Sequence, residues 1–127
     1  MMTPLALLMH RDLQEIASTA TLREAAKKMR DHRVGSLLVL NGTERSGIVS
    51  ETDFVRKALA EGLNPDATSV DKIMSQPIIS IDIDKTAKEA NDLMAAKGVR
   101  HLAITDKGKI VGIVSVRDLV ICFKNRL

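Results

Sequence analysis

Tyrosine and tryptophan are missing from this chain of 127 residues, and Phe54 and Phe123 are its only aromatic side chains. Proteins that grip single-stranded nucleic acid stack bases on aromatic rings, so the composition argues against that partner class. The single cysteine, Cys122, can close no internal disulfide and build no Cys-rich metal site, which points to a reducing, cytoplasmic compartment. Long apolar runs are lacking too. The stretch Leu5 to Met9 is far too short to cross a bilayer, and it has neither the basic flank nor the small-residue cleavage site of a signal peptide. Neither sign of charge dominates: 19 Lys and Arg stand against 16 Asp and Glu, interspersed, for a net charge of +3.

Catalytic signatures are absent as well. Gly42 and Gly47 have the spacing of a phosphate-binding loop, but Ile48 stands where its lysine is required. His10, His32 and His101 are scattered, without the spacing of metal ligands, and no serine sits in a nucleophile elbow. The expectation is a protein that is no enzyme, holds no metal and needs no cofactor.

What is present is a soluble-type composition, 45% hydrophobic and 28% charged, in a length that suits one compact domain. The informative feature is an internal repeat at a gapless offset of 65 residues. Met9 meets Met74, Ile16 meets Ile81, Thr21 meets Thr86, and Glu24-Ala25 meets Glu89-Ala90. Further on, Met29 meets Met94, Val34 meets Val99 and Leu37 meets Leu102. Gly47-Ile48-Val49-Ser50 then meets Gly112-Ile113-Val114-Ser115, Asp53 meets Asp118 and Val55 meets Val120. Two copies, 1–64 and 65–127, imply a two-fold pair rather than a stacked array, and units so small are expected to share one core.

Each copy reads as strand, helix, strand, strand, helix, an α+β layer with helices on one face of a small sheet. Apolar residues recur at helical spacing in Thr21–Arg30 and Thr86–Lys97, each opened by a Thr-x-x-Glu capping box. Strands are expected at Ser36–Asn41 and Ser46–Ser50, then at His101–Thr105 and Lys109–Ser115, joined by hairpin turns. Second helices follow at Glu51–Glu61 and Val116–Lys124, and Gly62 with Asn64-Pro65-Asp66 reads as the linker.

The order of capped helix, Gly-Val-x-x-Leu-like strand, hairpin, and Gly-Ile-Val-Ser-x-x-Asp opening a helix resembles the CBS domain. The lead-in Ser69-Val70-Asp71-Lys72-Ile73-Met74 fits the same family, and two tandem copies look like the paired CBS (Bateman) module. The resemblance implies a regulatory, energy-sensing module that binds an adenosine-containing ligand, chiefly AMP, ADP or ATP, in the cleft between its repeats. It implies a homodimer, for which Phe54, Val55, Leu59, Leu119, Val120 and Phe123 are candidate contacts, and an unidentified effector protein. S-adenosylmethionine or NAD are alternative ligands. The alternatives from other classes are a ligand-free interaction or dimerisation domain and, from the pI near 9.2, a nucleic-acid binder.

Candidate ligand-binding residues follow from the resemblance at Ser50-Glu51-Thr52-Asp53 and Ser115-Val116-Arg117-Asp118. A carboxylate can accept hydrogen bonds from both ribose hydroxyls, which assigns Asp53 and Asp118 to the sugar. Ser50 and Ser115, with main-chain N–H groups at a helix start, suit a phosphate. Thr52 and Arg117 lie in the same turns, and Arg100 and His101 are implied to complete the Asp53 site. Gly35-Ser36 offers no charge at the matching place, so the Asp118 site is expected to hold a phosphate tail less well. Leu38 and Ala103 replace a proline usual in the family strand. Ile16, Val34, Ile48, Ile81, Val99 and Ile113 could flank a base, though plain core packing accounts for most of them. The competing account of Ser-x-x-Asp is ordinary helix capping, stabilising by about 1 kcal/mol.

Overall fold

A computed structural model describes residues 3–124. The chain divides into two compact units. One is Gln14–Ile78; the other joins the segment ending at Leu13 to the chain from Ile79 onward.

In the first unit, β1 (Glu15–Ala17) leads through helix α1 (Leu22–His32) to β2 (Ser36–Asn41), which turns back into β3 (Glu44–Ser50). The sheet order is β1-β2-β3. β1 runs parallel to β2 with Ile16 opposite Val39, as a strand reached through a helical crossover can. β2 and β3 are antiparallel, with an irregularity between Val39 and Leu40. After Ser50 comes one α-turn, α2 (Glu51–Asp53), and then a π-helical stretch, Phe54–Leu59.

Leu22, Ala25 and Met29 fall on one stripe of α1 and pack on Leu37, Val39 and Val49 of the sheet. Thr21 caps this helix by accepting from the Glu24 N–H at 3.1 Å. Its hydroxyl donates to the Glu24 carboxylate, so the expected box is only half formed here. The linker does more than connect. Pro65 and Thr68 lend carbonyls to the N–H groups of Arg23 and Leu22, donors that the first turn of a helix cannot satisfy itself. The Arg23 guanidinium grips both carboxylate oxygens of Asp66, which holds that carboxyl below its ordinary pKa.

The second unit repeats this plan with β4 (Ser80–Asp82), α3 (Ala87–Lys97), β5 (His101–Asp106), β6 (Lys109–Ser115) and α4 (Val116–Lys124). Its sheet order is β4-β5-β6, and the irregularity recurs between Ile104 and Thr105. Thr86 and Glu89 form the full reciprocal box, with N–H···O distances of 3.0 and 3.1 Å. Ala87, Ala90, Met94, Leu102, Ile104, Val114 and Leu119 make the core.

The packed units and the sequence copies differ in one respect. Val70 and Ile73, which open the second copy, are buried in the core beneath α1. Leu5 and Met9, which open the first, are buried in the core that contains Leu102 and Val114. Each lead-in also adds one bridge to a sheet edge: Ser75 pairs with Ile48, and His10 pairs with Ile113. A division at residue 64 follows the repeat, whereas the cores exchange lead-ins.

Candidate functional site

Each sheet delivers its last strand into a helix at a Ser-x-x-Asp turn, and the backbone closes the turn in the same way twice. Ser36 lies opposite Ser50, and His101 lies opposite Ser115. The first helical N–H, of Glu51 or Val116, donates to the carbonyl of Gly35 or Arg100 at 3.1 and 2.9 Å. These two amides are therefore committed to the fold.

At the first turn, Asp53 Oδ2 accepts from Ser50 N at 2.9 Å and from Ser50 Oγ at 3.3 Å. At the second, Asp118 Oδ2 accepts from Ser115 N at 2.8 Å and Ser115 Oγ at 2.9 Å, and Asp118 N donates back to Ser115 Oγ at 3.2 Å. One oxygen of each carboxylate is thus a helix cap.

The other oxygen meets a basic side chain that sequence reasoning missed. Lys57 Nζ lies 2.9 Å from Asp53 Oδ1, and it also donates to Ile73 O at 3.1 Å and Ser75 Oγ at 3.4 Å. His10 Nε2 lies 2.9 Å from Asp118 Oδ1. The aspartate side chains are 9% and 14% exposed, against 46% for Lys57 and 67% for His10. The Asp53–Lys57 pair has the i,i+4 spacing that a helix brings together, a signal legible in sequence. His10 and Asp118 are 108 residues apart and carry no such signal.

The remaining candidates divide by unit. Ser36 is buried and Thr52 half-buried in the unit of Asp53. Arg100 and Arg117 are exposed and His101 is half-buried in the unit of Asp118. Val34, Val99, Ile16 and Ile81 pack into or against the cores, as the plainer account of them required. Among the helix residues named for dimer contact, Leu119 is fully buried and Phe54 and Phe123 pack on the cores. They are structural, because the core sides of these helices need them. Val55, Leu59 and Val120 are exposed, joined by Ile121.

Among the described residues no group of three His, Cys, Asp or Glu side chains could hold a metal ion. No helix there is long and apolar enough to cross a membrane.

Two stretches of the chain, residues 6–60 and 70–125, match the family model of the CBS domain. An uncharacterised protein of Methanopyrus kandleri is 41% identical over 112 residues, covering 87% of this chain and 57% of that protein. The chain thus spans little more than half of that relative. The CBS domain-containing protein YhcV of Bacillus subtilis is 30% identical over 106 residues, 84% of this chain and 75% of its own. In structure, a protein with CBS domains from Burkholderia ambifaria, assigned to signal transduction, superposes with a TM-score of 0.89 at 29% identity. That match covers 95% of this chain and 93% of the other. Matched twice by one family model, and alike in fold to such a protein over 95% of its length, the chain belongs to the CBS-domain family and carries two tandem copies of the domain.

Proposed function

We propose that this CBS pair is a non-catalytic regulatory module that binds an adenosine-containing ligand, AMP, ADP or ATP, and passes the bound state to a partner protein. One observation carries the proposal. In both copies the Ser-x-x-Asp turn fixes Oδ2 in the cap and leaves Oδ1 as the oxygen that meets a basic group. A carboxylate oxygen has two acceptor positions, so Oδ1 can accept a ribose hydroxyl beside or instead of that group. Its low exposure strengthens any such bond. Ser50 and Ser115 are assigned to the phosphate side, with Arg100, His101 and Arg117 as the basic residues that would meet its charge.

A thermal-shift series with AMP, ADP and ATP tests the proposal. A nucleotide at about a hundred times its Kd adds roughly 2.7 kcal/mol, several degrees for a domain of this size. Calorimetric titration of Asp53→Ala and Asp118→Ala then apportions affinity between the copies. A protein that none of the three nucleotides stabilises is not this sensor.

A second reading, an interaction domain without ligand, is favoured by the satisfaction of both carboxylates within the chain. Exposed Val55 and Leu59 in one unit, and exposed Val120 and Ile121 in the other, would supply its contacts, and the homodimer belongs to this reading as well as to the first. Sedimentation of the wild type against Leu59→Glu separates a dimer from a monomer.

A further inference from the structure

The outer oxygen of each cap carboxylate is tied to a lead-in segment, and the two copies make that tie with different residues. In the first unit the link starts on the helix side: Lys57 holds Asp53 and reaches across to Ile73 O and Ser75 Oγ. In the second unit it starts on the lead-in: His10, which stands at the place of Ser75 in the repeat, reaches Asp118 directly. The place of Lys57 is taken there by Cys122, which cannot serve as a cation. Ser75 and Ile48 exchange backbone bonds of 2.8 and 3.0 Å, and so do His10 and Ile113. The position that carries the link is therefore the same in both units, although its residues, and the side from which it is built, are not.

We propose that Lys57 and His10 are latches, through which the charge on Asp53 and Asp118 holds the lead-in bridges against β3 and β6. A group that takes Oδ1 in place of the basic side chain releases the latch, and engagement of the carboxylate is then transmitted to the lead-in segment. Only the identity of that group rests on the nucleotide reading; the latch itself does not.

Amide hydrogen exchange read residue by residue tests this in the ligand-free protein. Lys57→Cys speeds exchange at the Ser75 and Ile48 amides by about fivefold or more, because a local opening loses its tie. Adding Ser75→His to that variant grafts the second unit's latch into the first and returns exchange to near the wild-type rate. His10→Ser, which leaves the Asp118 cap and the core untouched, speeds the His10 position and Ile113 in the same manner, and Asp118→Asn does likewise. Unchanged exchange in Lys57→Cys and His10→Ser overturns the latch, as does failure of Ser75→His to restore protection. Repeating the measurement with millimolar AMP separates the two claims. Faster exchange at His10 and Ile113 alongside a thermal shift supports transmission, and a thermal shift with unchanged exchange overturns it. AMP without any thermal shift counts against the nucleotide reading and leaves the latch to the variants, which decide it alone.

Discussion

The sulfur of Met74 lies 2.8 Å from the point that a Cβ on Gly47 would occupy, and the carbonyl oxygen of Ser75 lies at the same distance. Met9 crowds Gly112 in the same manner from the other lead-in. The recurrence of Met and Gly at the repeat offset is thus one contact seen twice: each lead-in lies so close to a sheet edge that no side chain fits beneath it. Gly47→Ala must push a backbone carbonyl as well as a flexible thioether, and a cost of about 1–3 kcal/mol is expected. Urea melts of Gly47→Ala and Gly112→Ala check this. Gly112→Ala should be the milder of the two, since the atoms crowding it all belong to the Met9 side chain.

The two latches differ in burial, and their deletion should differ accordingly. Lys57→Ala leaves Asp53 charged at 9% exposure with only its cap bonds, and about 1–2 kcal/mol of stability should be lost. His10 is 67% exposed, so His10→Ala should cost no more than about 0.5–1 kcal/mol. Thermal melts of both variants under one buffer give the comparison. Equal losses would show that burial does not set the difference.

Helix α1 ends on Arg33 with φ +55°, while α3 ends on Gly98 with φ +66°. The left-handed conformation strains a residue that has a Cβ, and glycine adopts it freely. Arg33→Gly should therefore stabilise by up to about 1 kcal/mol, and Gly98→Arg should destabilise by a similar amount. Melting temperatures shifting in opposite directions would bear this out.

Asp66 offers a test by pH. Its carboxyl is held below the ordinary value, first by its hydrogen bond to Arg23 and then by the charge of that guanidinium. A depressed folded-state pKa means that the pair stabilises the fold above the ordinary carboxylate range and loses that effect as pH falls through the depressed value. Carbon-detected NMR titration should place Asp66 below an unperturbed aspartate, and Arg23→Ala should return it upward.

Much of the architecture was legible because its signals are local. Ser36–Asn41, Lys109–Ser115 and Val116–Lys124 lie where apolar patterning puts them. α1 runs on to His32, beyond the expected Arg30, and α3 ends at the matching Lys97; Gly98 marks that end in sequence, whereas Arg33 carries no such stop signal. The π-helical stretch Phe54–Leu59 has no signature in the sequence, and the matching residues of α4 keep ordinary α geometry. At the candidate site, the caps could be read from Ser-x-x-Asp spacing. His10 could not be placed beside Asp118, since that contact depends on which core the lead-in enters. Two bridges, Pro4 to Thr86 and His10 to Ile113, and the burial of Leu5 and Met9 tie that lead-in to the unit of Asp118.

The exchange of lead-ins bears on how such a chain can arise. A polypeptide with one repeat holds Leu5 and Met9 ahead of a sheet that they do not cover in this protein, and it lacks the Val70 and Ile73 that fill the core beneath α1. Two such chains could each complete the other by trading their first dozen residues. Fusing the genes end to end turns that trade between molecules into a trade within one, at an effective concentration no pair of separate chains attains.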